Sequence, residues 1–181
     1  MRLGTKCHNS LVIIAYNFDM KSYNILFLCT GNSARSILAE ALVTTLSGGK
    51  FIGYSAGSNP AGRVNPFASE LALALGYPKE KLRSKNWDEF SLLDSPQMDF
   101  IITVCDNAAN EACPVWVGHP STAHWGFPDP ASVEGTDAIK REAFQKTLLG
   151  LTKNIEALIH LPIDQLDLLS LKKAIQDIHD E

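Results

Sequence analysis

From about residue 20 onward, short apolar runs alternate with longer stretches of helical period, the pattern of parallel β-α-β units. Asn24-Ile25-Leu26-Phe27-Leu28 is almost uninterruptedly apolar, as expected of a central strand covered on both faces. Ser36 to Ser47 then sets Ile37, Leu38, Ala41, Leu42 and Leu46 near helical spacing and stops at Gly48-Gly49. Lys50 to Ala56 predicts a second strand closed by Gly57, and Asn65-Pro66 caps a helix running to Gly76. Ser84 to Leu93 predicts a short helix carrying Trp87 and Phe90, Met98 to Val104 a third buried strand, and Thr122 to Trp125 a brief fourth. Thr136-Asp137 caps a long helix whose stripe is Ala143, Phe144, Leu148, Leu151, Ile155, Leu158 and Ile159, ended by Pro162. The tail from Leu161 to Ile178 predicts one or two short packing helices. The class is α/β.

Composition narrows the picture. The 181 residues make one domain, since domains run to roughly 150 residues. A hydrophobic share of 45% lets the chain bury a core, and four cysteines are too few for a disulfide framework. With 16 Lys and Arg against 20 Asp and Glu, the formal charge is -4 and offers no broad cationic face. Nucleic acid and membrane partners are therefore not expected, and a bound anion needs a local device. Leu11 to Tyr16 is too short for a signal peptide and no run approaches a membrane span. These features place the chain, as an expected monomer, in a reducing cytoplasm. Met20 directly precedes the first strand, so translation is expected to start there. Residues 1–19 become an upstream extension, poorly ordered or an edge segment, and 20–181 the single domain. The competing reading makes Leu11-Val12-Ile13-Ile14 an edge strand.

The strongest chemical signal is Cys29-Thr30-Gly31-Asn32-Ser33-Ala34-Arg35-Ser36, a C-x5-R loop between a buried strand and a helix start. Its backbone N–H groups can wrap a tetrahedral oxyanion, Arg35 offers planar paired donors, and the helix adds its positive end. Gly31 is expected to permit a backbone conformation other residues resist, and Asn32 to tolerate the left-handed region. The converging donors are expected to stabilise a Cys29 thiolate, with Ser36 bonding the sulfur. Lowering a thiol pKa from near 8.5 to about 6 raises the thiolate fraction at pH 7 roughly thirty-fold, but a Brønsted slope near 0.45 costs about ten-fold in nucleophilicity. Most of the loop's value therefore lies in holding the oxyanion and stabilising its transition state. The absence of a G-x4-G-K-[ST] string excludes a Walker loop.

Cys105 and Cys113 flank Asp106 to Ala112 directly after the third strand. In a parallel sheet the carboxyl ends of neighbouring strands open on one edge, so Cys29 and Cys105 can face one crevice. Two further thiols near a nucleophilic cysteine provide a relay, which a hydrolytic phosphatase does not need. Cys105, Cys113, His119 and His124 are alternatively four zinc ligands, although the spacing between the cysteines is wider than usual. Asp129-Pro130 is either a general acid on a stiff loop or a turn former. Cys7 is incidental, and His160 and His179 are assigned to helix surfaces.

With Cys29 to Ser36, Cys105, Cys113 and His124-Trp125-Gly126 through Asp129-Pro130-Ala131 in order, the chain resembles the bacterial arsenate reductases of the low-molecular-weight tyrosine phosphatase fold. The resemblance covers roughly Lys21 to the C-terminus. It implies a four-stranded parallel sheet, order 2-1-3-4, with helices on both faces. It implies that Cys29 attacks arsenate held by the loop amides of Thr30 to Ala34 and by Arg35, while Asp129 protonates the departing oxygen. Cys105 then attacks Cys29 and releases arsenite, Cys113 takes over Cys105, and the final disulfide passes to thioredoxin. Phosphate or sulfate would act as substrate analogues, and no cofactor or metal is expected.

Two departures from the family pattern stand out. The Cys105–Cys113 separation is one residue longer than in thioredoxin-coupled relatives, which keeps a glutathione–glutaredoxin couple open. Some relatives hold potassium near the loop, where Glu40 and Ser55 are at matching positions, but Lys85 falls where an acidic partner is expected, so no ion is predicted. Ala131 and Ser132 stand where the phosphatases typically carry aromatic residues, which, with the two added cysteines, sets the resemblance on the reductase side. The rivals are a phosphotyrosine phosphatase using Cys29, Arg35 and Asp129 alone, and a redox or zinc-binding regulator.

Overall fold

The computed structural model describes residues 21–106, 116 and 118–180. The Met20 start, the Leu11–Ile14 strand, Cys7 and Cys113 lie outside the described residues. Strands β1 (Tyr23–Cys29), β2 (Phe51–Gly57), β3 (Phe100–Thr103) and β4 (Ser121–His124) form one parallel sheet in the order β2-β1-β3-β4. The α-helices among the described residues are α1 (Arg35–Leu46), α2 (Pro66–Ala74), α3 (Asp137–His160) and α4 (Leu168–Asp180).

β1 is central because its side chains serve two cores in alternation. Ile25, Phe27 and Cys29 join a large cluster with Leu38 and Leu42 of α1, Phe144, Leu151, Ile155 and Leu158 of α3, and Ile175 of α4. Leu26 and Leu28 point to the other face, against Ala56, Met98 and Ile101. There Trp87, Phe90 and Trp116 pack over them. The apolar stripe of α3 is thus the one its sequence predicts, and Asn65 and Thr136 cap α2 and α3 with their side chains.

Several boundaries differ from expectation, most of them by one or two residues. The helix predicted over Ser84–Leu93 contracts to a 3-10 turn at Trp87–Phe90. The residues before it run extended, with Gly57 N–H donating to the Lys85 carbonyl at 2.9 Å and Asn86 bridged to Gly57. β3 and β4 are shorter or shifted, yet hydrogen bonds continue past their ends: Val104 N–H reaches the Leu28 carbonyl and Trp125 N–H the Thr103 carbonyl, both at 2.8 Å. Strand ends fade over such positions rather than stop.

β4 lies at the sheet edge, which exposes unpaired backbone groups. The Gln176 side chain of α4 covers them, accepting from His124 N at 2.9 Å and donating to the His124 carbonyl at 3.1 Å. Trp125 is fully buried and its indole N–H donates to the Ile175 carbonyl at 2.9 Å. His160 is exposed at the end of α3, as predicted. His179 is half-buried and makes contacts beyond the helix surface: its ring packs 5.3 Å from that of Phe127, and Nδ1 lies 3.3 Å from Asn154 Nδ2. α4 therefore braces the segment leading to Asp129. Among the described residues no helix is long and apolar enough to cross a membrane.

Candidate active site

The C-x5-R loop leaves the carboxyl end of β1 and enters α1. Its left-handed residue is Asn32, at φ +39°, and not Gly31, whose φ is not positive. A Cβ on Gly31 would meet only Ser33 Oγ at 3.6 Å, so the expectation that this glycine supplies the unusual conformation is corrected. Asn32 is suited to the turn because its buried amide is fully engaged: Nδ2 donates to Ser36 Oγ and to Ser55 Oγ, each at 2.9 Å, and Oδ1 accepts from Lys85 N at 2.7 Å. The glycine that the loop requires is Gly57 of β2. A Cβ there would collide with the Thr30 carbonyl and stand 2.9 Å from the Cys29 carbonyl.

Cys29 is buried, with Sγ 3.0 Å from Ser36 Oγ and accepting from Asn32 N at 3.1 Å. Burial pushes the Cys29 thiol up; the Ser36 hydroxyl pulls it down, the Cys105 sulfur pushes it up, and the Ser36 and Asn32 amides pull it down. Burial prevails, so the lowered pKa expected from converging donors is not what this structure shows. An acid whose pKa is raised keeps its proton to higher pH. Alkylation of Cys29 by iodoacetamide in anion-free protein is therefore expected to rise with pH around a midpoint above that of a free thiol. A midpoint near neutrality would contradict this.

Arg35 opens α1, whose N-cap Ala34 makes no side-chain cap and whose first turn holds no acidic residue. The positive end of the helix is thus left for an anion. Arg35 Nη1 donates to the Phe127 carbonyl at 2.8 Å and Nη2 lies 3.4 Å from Asp129 Oδ2. Its Nε is buried and has no hydrogen-bond partner, a further donor suited to an oxyanion. Asp129 forms the turn that its sequence predicts and also faces the loop arginine. Oδ1 accepts from Ala131 N at 3.1 Å to start the 3-10 turn Pro130–Ser132, while Oδ2 faces Arg35.

Beneath the loop lies a buried charged network. Lys85 Nζ stands 3.1 Å from Glu40 Oε2, which also accepts from Ser55 Oγ, and Tyr77 donates to Oε1 at 2.6 Å. Burial first, then the Glu40 carboxylate, push the Tyr77 phenol far above its ordinary value. The Lys85 ammonium is itself the cation beside Glu40. A continuous chain of hydrogen bonds then runs from Lys85 through Glu40, Ser55, Asn32 and Ser36 to Cys29. Sequence reasoning singled out Glu40, Ser55 and Lys85 but missed Tyr77, which no local pattern marks.

Cys105 follows β3 and is buried, with Sγ 3.8 Å from Thr30 Oγ1. Parallel pairing of β1 and β3 brings the two cysteines to one edge, as predicted. His124 and Asp106, also missed as a pair, meet at 3.1 Å beside them. His119 lies just before β4, near the opposite end of the sheet from His124. The four zinc ligands considered from sequence therefore do not all converge. Among the described residues no group of three or more His, Cys, Asp or Glu side chains is placed to hold a metal ion.

The sequence model of one family, the low molecular weight phosphotyrosine protein phosphatases, matches residues 24–173. The chain belongs to that family. Among the relatives of this phosphatase-family protein is the arsenate reductase of Halalkalibacterium halodurans, 36% identical over 132 residues, which are 73% of this chain and 91% of that one. The arsenate reductase of Bacillus subtilis is 36% identical over 127 residues, 70% and 88% of the two chains. A solved arsenate reductase from Archaeoglobus fulgidus superposes with a TM-score of 0.58 at 27% identity, covering 76% of this chain and 99% of that one. A low molecular weight tyrosine phosphatase from T. tengcongensis shares the fold, with a TM-score of 0.60 at 22% identity, covering 80% and 100%.

Proposed function

We propose that this family member reduces arsenate to arsenite with Cys29, Cys105 and Cys113. The observation that carries the reading is Cys105, buried 3.8 Å from the Thr30 hydroxyl at the edge of the C-x5-R loop, in a chain whose curated relatives are named arsenate reductase. Arsenate binds to the loop of Thr30 to Ala34 and to Arg35. The Cys29 thiolate forms an S–As bond as an arsenate oxygen leaves, protonated by Asp129. Ser36 and the Asn32 amide hold the sulfur in place.

The Cys105 thiolate then forms an S–S bond to Cys29. The S–As bond breaks with its electron pair staying on arsenic, so As(V) becomes As(III) while two thiols become one disulfide. Cys113 displaces Cys29 from Cys105, and an external dithiol of the thioredoxin type, or a glutathione–glutaredoxin couple, reduces the resulting Cys105–Cys113 disulfide. This chemistry suits a reducing cytoplasm and calls for no bound cofactor.

Cys105→Ser tests the relay. With a thioredoxin system and excess arsenate, the variant is expected to show no sustained turnover. Full steady-state turnover by the variant would refute it. The family's phosphatases supply the second reading, hydrolysis of a phosphate ester by Cys29, Arg35 and Asp129 alone, which predicts that Cys105→Ser leaves aryl-phosphate hydrolysis untouched and that arsenate consumes no reductant.

A further inference from the structure

His124 lies outside the oxyanion loop, yet its ring and backbone are fixed from several directions. Nδ1 is 2.8 Å from Thr103 Oγ1 on β3, and the Gln176 amide grips the backbone N–H and carbonyl at 2.9 and 3.1 Å. The remaining ring nitrogen, Nε2, is 3.1 Å from Asp106 Oδ1. One neutral tautomer satisfies both contacts, with the Thr103 hydroxyl donating to Nδ1 and Nε2–H donating to the carboxylate. The chain also leaves room for this pair. A Cβ on Gly126 would stand 2.7 Å from Asp106 Oδ1 and 3.0 Å from His124 Nε2, so any larger residue there would press into it.

Asp106 is the residue directly after Cys105. We infer that His124 is a positioning residue for disulfide exchange, mooring the Cys105–Asp106 turn to the sheet so that Cys105 stays beside the loop for its attack on Cys29. The inference rests on the relay proposed above. Thr30 Oγ1 flanks the Cys105 sulfur on the loop side, and the moored carboxylate holds the next residue on the other. The post is rigid because β3, β4 and α4 all hold it. The mooring itself is exposed, with Asp106 largely in solvent, and exposed pairs are weak. It therefore favours the first transfer, in which the Cys105–Cys29 S–S bond forms as S–As breaks with its electrons going to arsenic. It also releases readily when Cys105 must turn to its next partner.

The test uses Cys113→Ser protein, in which the Cys29–Cys105 disulfide accumulates in a single turnover. Rapid mixing with arsenate, acid quenching and mass spectrometry of alkylated thiols give its rate of formation. Adding Asp106→Ala is expected to slow that rate about five-fold, the scale of an exposed pair. Asp106→Asn, which keeps an acceptor for Nε2–H, should restore it to within about two-fold. His124→Asn should slow it as Asp106→Ala does, with the double change no slower than either alone. The Cys29 alkylation rate and thermal midpoint should stay unchanged in the Asp106 variants, which separates positioning from loss of fold. Disulfide forming in Asp106→Ala at the parent rate would overturn the mooring and leave the relay standing. No Cys29–Cys105 disulfide in the parent Cys113→Ser protein would overturn the relay and the mooring with it.

Discussion

Cys29→Ser is expected to lower arsenate reduction by about 10⁴-fold or more, to background, while phosphate binding survives. A serine hydroxyl is scarcely ionised at neutral pH and cannot enter a disulfide, so it fails both as nucleophile and as the electron donor to arsenic. The binding apparatus is separate from it. Arg35, the uncapped start of α1 and the loop backbone do not depend on sulfur, and Ser36 and Asn32 N–H can bond a hydroxyl as they bond the thiol. Steady-state assay together with calorimetric phosphate titration checks the two halves. Retained reduction in the variant would mean that Cys29 is not the attacking group.

The largest effect on stability is expected from Lys85→Met. Lys85 and Glu40 are both buried and 3.1 Å apart. Removing one partner leaves a charge uncompensated in a low-dielectric interior, which costs about 3–5 kcal/mol. The damage should reach the active site, because Glu40 holds Ser55, Ser55 holds Asn32, and Asn32 holds the left-handed turn of the loop. Chemical denaturation of Lys85→Met measures the loss. Combining it with Glu40→Gln should recover part of it, since the lone buried charge is then gone. A Lys85→Met protein as stable as the parent would show that the pair does not support the loop.

These effects trace to features of unequal legibility. β1 was evident because a strand buried on both faces is apolar throughout, and α3 because its stripe repeats with helical period over its whole length. The oxyanion loop was evident because its chemistry is local in sequence. The Ser84–Leu93 segment departs from its local helical pattern for the opposite reason. Lys85 is drawn inward by Glu40, 45 residues earlier, and the extended pairing of Asn86 with Gly57 overrides local preference. The left-handed position expected at Asn32 is there, but Gly31 needs no unusual conformation, since the turn is held by the partners the Asn32 side chain finds in Ser55 and Lys85. Tyr77 and the His124–Asp106 pair leave no mark in the sequence because each acts through contacts made only once the sheet has formed.

The central claim is that two electrons pass from thiols to arsenate at Cys29 and Cys105. Its most direct test is NADPH consumption by the protein with thioredoxin and thioredoxin reductase, with and without arsenate, repeated with glutathione, glutaredoxin and glutathione reductase. The account predicts oxidation that requires arsenate, at one NADPH per arsenite formed, with one of the two couples. No arsenate-dependent oxidation with either couple, alongside brisk aryl-phosphate hydrolysis, would contradict it.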